Sequence, residues 1–270
     1  MPAMQHPTSS DVGGRTDEQA GRRVSSRDLD GALAAEFPDL SSDGQFRLRV
    51  FRDLLLEWNE RFNLTAIREP DAVDRVLLLD ALRMLPALDA AASESGLRQP
   101  SLIDIGSGGG LPAIPLAICR PTLDVTMVEA TGKKVGFLRE VIDTIDLGNA
   151  RAIHARAEEL ARSNDERERY DLASARAVAS LPALVELVAP FLRVGGIALF
   201  PKGLAIAGEL PAARFACREV GCELVGAVPL AGGETMLVTI RKTSETPNRY
   251  PRRPGLPARQ PLGFAPGVRS

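Results

Sequence analysis

Asp104-Ile105-Gly106-Ser107-Gly108-Gly109-Gly110-Leu111-Pro112 is the stretch on which the fold turns. The β-branched run SLIDI at 101–105 leads into it and an apolar helical stretch leaves it, so it marks the end of a strand and the start of a helix. Glycines here permit positive φ and bring bare backbone against a ligand. Pro112 suits the first turn of the helix, whose unpaired N–H groups would face that ligand. Four glycines in five residues cost conformational entropy that a plain turn need not lose. The loop therefore reads as a seat for a nucleotide-like cofactor.

Outward from this loop, short strand-like runs alternate with helical stretches. Strands are expected at 101–105, 124–129, 150–154, 171–175, 196–201, 223–229 and 234–241, with helices at 112–118, 132–146, 157–163, 181–193 and 206–220. Only a short link that includes Ala231 to Gly233 separates the last two strands, which permits a hairpin but not a parallel crossover. The pattern is the footprint of an α/β, class I (Rossmann-like) methyltransferase fold, a seven-stranded mostly parallel sheet with an antiparallel last strand. A dinucleotide dehydrogenase usually has six parallel strands and no such hairpin.

Upstream, Ser42 and Gln45 form an expected capping box, and Phe46, Val50, Phe51, Leu54, Leu55, Trp58 and Phe62 recur at helical spacing. Pro70 opens a further helix that ends near Pro86. The chain thus divides into an extension at 1–26 without hydrophobic period and expected to be disordered, an N-terminal helical cap at 27–92, a cofactor-binding core at 93–242 and a basic, proline-rich tail at 243–270.

With 270 residues and 44% hydrophobic content the chain can bury a core, which excludes disorder throughout. No apolar run approaches the roughly 18 residues of a membrane span, and no signal-peptide segment is present, so a cytoplasmic protein is expected. Cys119, Cys217 and Cys222 form no CxxC, and His6 lies far from His154, so neither a disulfide framework nor a metal site is expected. The net charge of −2 conceals an asymmetry: 241–270 carries seven basic residues against Glu245 alone, while the rest holds 26 basic and 34 acidic. A basic arm on an acidic body suggests a nucleic-acid partner. Its six prolines favour an extended arm whose removal would weaken RNA binding and spare cofactor affinity.

Gly108-x-Gly110-x-x-Ala113 fits NAD loosely, and S-adenosylmethionine equally. Glu129 closes the second strand, where a carboxylate can accept from ribose hydroxyls. Arg156-Ala157-Glu158-Glu159 follows the third, where a backbone N–H and a carboxylate can meet an adenine edge. No His or Lys is placed as a hydride-transfer acid, which tilts the choice toward S-adenosylmethionine. After the fourth strand, Ser174-Ala175-Arg176-Ala177-Val178-Ala179 contains no Asn-Pro-Pro-Tyr-like tetrapeptide for an exocyclic amine and no cysteine for covalent addition to a pyrimidine. A nucleophile that needs no deprotonation remains, and guanine N7 fits it. Arg176 could bind a phosphate or the cofactor carboxylate, and Lys202 is a second cation on the same edge. His154 reads as a core or rim residue. A methyltransferase of a small molecule or free nucleotide, and a non-catalytic RNA-binding module, remain alternatives.

At these residues the sequence resembles the glucose-inhibited division protein B (RsmG) family. The resemblance rests on WNERFNLT from Trp58, DIGSGGGLPAIPLA from Asp104, GKKVGFLR from Gly132, RAEEL from Arg156, YDLASARAVASL from Tyr170, FPKG from Phe200 and the tail RYPRRPGLP from Arg249. It implies a cytoplasmic, S-adenosylmethionine-dependent enzyme that methylates guanine N7 in 16S ribosomal RNA, or in a small-subunit precursor, near the decoding site. Cofactor contacts would fall at Gly106, Gly108, Leu111, Glu129, Ala157, Glu158 and Arg176. One departure stands out: where the family commonly has Arg-His before Ile-Leu-Asp-Ser, this chain has Val76 and Leu77 before Leu78-Leu79-Asp80-Ala81.

Overall fold

The computed structural model describes residues 26–264, so the expected disorder of the first residues lies, but for Ser26, outside the described residues. Seven strands, β1 (Ser101–Ile105), β2 (Asp124–Glu129), β3 (Ala150–His154), β4 (Tyr170–Ser174), β5 (Leu192–Gly203), β6 (Cys222–Pro229) and β7 (Thr235–Lys242), form one sheet in the order β3-β2-β1-β4-β5-β7-β6. The pairs among β1 to β5 are parallel, whereas β7 lies antiparallel between β5 and β6, with Ala198 opposite Ile240 and Val228 opposite Leu237. The short link after Pro229 dictates this hairpin, closed by Leu230 N–H donating to the Thr235 carbonyl at 2.8 Å.

β5 starts before the position read from sequence. Gly195-Gly196 looks like a turn, but Gly196 lies within the strand, where a Cβ would come 3.0 Å from the Asp171 carbonyl oxygen. Helices α6 (Ala113–Cys119), α7 (Gly132–Thr144), α8 (Ala157–Leu160), α9 (Leu181–Val188) and α10 (Leu210–Val220) fill the connections. Of these, α9 stops short of the expected 193 because Pro190 follows it.

In the cap, α1 (Ser26–Glu36) precedes α2 (Ser42–Arg61). The cap of α2 is Ser41, whose hydroxyl accepts from Gly44 N–H at 3.0 Å, and Gln45 donates to the Leu40 carbonyl; the capping box expected at Ser42 and Gln45 does not form. The buried face is also rotated from the expected one: Leu48, Phe51, Arg52, Leu55 and Asn59 are buried and Phe46 is 58% exposed. Arg52 is tolerated inside because Asp74 meets its guanidinium at 3.1 Å. The helix opened by Pro70 is α-helical at α3 (Pro70–Ala72) and α4 (Asp80–Leu82), with a π-helical turn at Val73–Leu79 between them, and Pro86 belongs to the start of α5 (Leu85–Ser95) instead of ending its predecessor. Leu48, Phe51, Leu78 and Leu82 of the cap join Leu116, Met127 and Leu138 in one apolar cluster on one face of the sheet, while α9 and α10 cover the other.

The tail is not a free arm. Lys242 is buried against Glu168 and Thr246, Arg249 pairs with Glu219, and Arg252 pairs with the fully buried Glu186. Pro251, Pro257 and Pro261 are buried, and Leu256–Arg259 forms α11. The expectation of an extended arm is corrected for the described part, where acids of the body pair with Lys242, Arg249 and Arg252, while the exposed Arg253 and Arg259 have no acidic partner among the described residues. Gly221 anchors this segment. In the left-handed region at φ 78°, it would place a Cβ 2.5 Å from the Ser244 carbonyl oxygen. Gly221→Ala is expected to lower stability by about 2–3 kcal/mol through backbone strain and displacement of the tail. An unshifted urea midpoint would mean that residues 243–246 yield freely.

Candidate cofactor and substrate site

β1 and β4 are neighbours whose following helices cover opposite faces, so a crevice opens at their carboxyl ends, where ligands bind in open α/β sheets. Two cavities lie there. One of about 320 Å³ is lined by Gly106, Val128, Glu129, Ala157 and Glu158 and, from the tail, Gly255 and Ala258. The other, about 720 Å³, is lined by Gly106 to Gly109, Leu111 and Arg176 and, from the cap, Asn63 to Arg68 and Leu77. They meet at Gly106, Lys134 and Ala177, which line both. Val178 stands over Gly106, where a Cβ would come 2.6 Å from its Cγ2, and Gly106 has φ 69°; only glycine fits.

Glu129 is held from two sides. Gly108 N–H donates to its Oε2 at 3.0 Å and Thr131 N–H to its Oε1 at 2.8 Å, so the carboxylate at the tip of β2 braces the glycine loop it faces. Glu158 accepts from Gly255 N–H at 2.8 Å. Arg176 donates through Nη2 to the Val76 carbonyl at 2.6 Å and lies 3.8 Å from Asp80, while its buried Nη1 has no partner among the described residues. Burial lowers its pKa, opposed by the charge of Asp80. Asp80 itself accepts from Thr235 at 2.5 Å and Arg83 at 3.3 Å. The sequence-expected residues Gly106, Gly108, Leu111, Glu129, Ala157, Glu158 and Arg176 all line one cavity or the other. Lys202 does not: its ammonium donates to the Ala179 carbonyl at 3.1 Å and sits 3.4 Å from Glu209, so it steadies the loop after β4 and faces neither cavity. His154 is exposed on the rim, 3.1 Å from the Ala130 carbonyl.

Asp104 lies beneath the glycine loop, fully buried. Ser174 donates to its Oδ1 at 2.6 Å and Oδ2 has no partner. Burial pushes its pKa up to about 7. The folded chain therefore binds a proton there that the unfolded chain has released, and stability falls as pH rises from about 4 through 7. Asp104→Asn removes this titration. The difference in Tm between the variant and the parent is expected to move in the variant's favour from pH 5.5 to pH 8.5. A constant difference would show that Asp104 does not titrate in this range.

Other lining residues carried no signal as site residues. Asn63, Thr65 and Arg68 enter because Asn59 accepts from Leu64 and Thr65 N–H at 2.9 and 3.0 Å and folds the loop toward the sheet. The ammonium of Lys134, one residue on from Lys133 in the GKK run, has no hydrogen-bond or acidic partner among the described residues. Gly255 and Ala258 were unreadable because their placement depends on where the tail docks. Among the described residues no group of three or more His, Cys, Asp or Glu is placed to hold a metal ion, and no helix is long and apolar enough to cross a membrane. The three cysteines are free and buried, their thiols pushed up to about 12 by burial.

This sheet order, with a glycine loop after β1 and a carboxylate closing β2 beside it, defines a class I methyltransferase. The family model for rRNA small subunit methyltransferase G matches residues 45–235. Over 226 residues the chain is 46% identical to "Ribosomal RNA small subunit methyltransferase G" of Chloroflexus aggregans, covering 83% of this chain and 92% of that one. With its namesake from Moorella thermoacetica it shares 38% over 244 residues, 87% and 99% of the two chains. The chain belongs to the rRNA small subunit methyltransferase G family.

Proposed function

We propose that the protein transfers a methyl group from S-adenosylmethionine to N7 of a guanine in 16S ribosomal RNA, near the decoding site of the small subunit or its precursor, in the cytoplasm. The observation that carries this reading is the lining of the larger cavity. It offers Asn63, Thr65, Arg68, Lys134 and Arg176, but among the described residues that line it there is no carboxylate, imidazole or thiol. Such a wall suits an anionic polymer, and it suits a nucleophile that needs no base. Guanine N7 has a free lone pair at neutral pH, so positioning can supply the catalysis. Family membership supports the same substrate class.

The residues fit the donor. Gly106 gives the side-chain-free contact that a ligand crossing between the cavities needs, and the unpartnered Arg176 Nη1 is suited to an anionic group such as the donor's carboxylate. Glu129 would accept from the ribose hydroxyls while keeping its two backbone donors. The Ala157 N–H and Glu158 would meet the adenine edge, with Gly108 and Leu111 lining the path to the larger cavity. S-adenosylmethionine, when bound, supplies an electrophilic methyl group on a sulfonium. Methyl transfer places positive charge on the guanine ring, so Arg176 belongs beside the base, away from N7. Arg68 and Lys134 would hold phosphate oxygens.

The test is methyl transfer from labelled S-adenosylmethionine to small subunits and to free 16S RNA from cells lacking the gene, with the product mapped by strand scission at 7-methylguanosine. One scission site in 16S RNA is expected. Label appearing only in small molecules or free nucleotides would replace this reading with a small-molecule methyltransferase, and no transfer at all would leave an RNA-binding module.

A further inference from the structure

Glu186 is the only charged residue of α9 and is fully buried. A buried carboxylate needs partners, and all of those among the described residues come from a single residue of the tail: Arg252 donates its backbone N–H to Oε1 at 2.8 Å, its Nε to both oxygens at 2.9 and 3.0 Å, and its Nη2 to Oε2 at 2.7 Å. The same Nη2 reaches the Gln260 carbonyl at 2.7 Å, which closes residues 252–260 into a ring of chain. Arg162 holds the Pro251 carbonyl at 2.6 Å, and Arg167 holds that of Tyr250 at 3.2 Å. A staple that served stability alone could sit anywhere along the tail. This one lies three residues before Gly255, whose N–H binds Glu158 Oε1, and its ring carries Ala258, so two residues of the tail line the smaller cavity.

We propose that Glu186 and Arg252 are positioning residues of the cofactor site, seating the C-terminal segment as a wall of the adenine pocket and, through Gly255 N–H, fixing Glu158 so that its free Oε2 accepts from the adenine 6-amino group. Oε2 has no partner among the described residues, while Oε1 is tied. Release of the segment frees the Glu158 side chain and removes the wall together. Cofactor recognition then depends on the tail, contrary to the expectation that its removal spares cofactor affinity. The proposal rests on the reading of the smaller cavity as the adenine site.

The experiment compares affinities for S-adenosylhomocysteine and S-inosylhomocysteine, in which a carbonyl replaces the 6-amino group, by calorimetry on the full-length protein, Arg252→Met, Glu158→Gln and Ala258→Asp. The parent is expected to prefer the adenosyl ligand by about tenfold or more, since the site's acceptor is left unpaired by the inosyl one. Arg252→Met should bring that ratio close to the value for Glu158→Gln, both ligands losing affinity with the wall but the adenosyl one losing about tenfold more than the inosyl one. Ala258→Asp, an exposed substitution that leaves the clamp intact, should weaken adenosyl binding by about tenfold, and it decides the matter should Arg252→Met fail to fold. Equal loss for both ligands in Arg252→Met, with the ratio kept, would make the clamp purely structural and overturn the proposal, as would unchanged affinity in Ala258→Asp. If Glu158→Gln keeps the parental ratio, the adenine reading of the cavity fails first.

Discussion

Glu129→Ala is expected to lower affinity for S-adenosylmethionine by tenfold to a hundredfold, the consequence of losing a charge-assisted contact of roughly 1.5–3 kcal/mol. The structure gives two reasons for a loss in the upper part of that range. The ribose hydroxyls lose their acceptor, and Gly108 and Thr131 lose theirs, so the glycine loop is released from the tip of β2 at the same time. Glu129→Gln separates the two: its one remaining carbonyl oxygen can serve a single backbone donor, and its amide nitrogen must face the other. Calorimetry should rank the parent above Glu129→Gln and that above Glu129→Ala. Parental affinity in Glu129→Ala would reduce Glu129 to a brace with no ribose contact.

Arg176→Lys is expected to cut methyl transfer about a hundredfold, nearly as far as Arg176→Ala, with the fold intact by circular dichroism. One arm of the guanidinium is already used: Nη2 holds the Val76 carbonyl across 100 residues of sequence and ties the loop after β4 to the cap. The other, Nη1, is buried without a partner among the described residues, on a residue that lines the larger cavity, and is open to an acceptor that a ligand brings. A lysine ammonium reaches one of these targets and abandons the other. The loss should include weaker donor binding as well as lower turnover of RNA. Near-normal turnover of Arg176→Lys would show that a generic positive charge suffices and that the fork is not used.

Val76 and Leu77 bear on this second result. Val76 presents its carbonyl to Arg176 and Leu77 an apolar side chain to the larger cavity. The cationic wall is instead made by Arg68, Lys134 and Arg176 itself, residues from three separate elements.

What the sequence by itself determined lay among the features governed by neighbours along the chain, although the cap of α2, the start of β5 and the end of α9 were misread. The glycine loop announced left-handed backbone at Gly106, Gly108 and Gly110, the short link after Pro229 forced β7 antiparallel, and alternating periods set the seven strands and the helices between them. Glu129 was legible because the tip of β2 is fixed once β2 is. Tertiary structure alone decided which charges are spent. Counting cations in the tail could not show that Glu186, Glu219 and Glu168 wait on the body to neutralise them, nor that Lys202 is absorbed by Glu209 and the Ala179 carbonyl while Lys134 stays free. Backbone conformation is set within a few residues by steric exclusion and hydrogen-bond period, whereas an ion pair depends on which distant surfaces packing brings together, and Arg252 and Glu186 stand 66 residues apart.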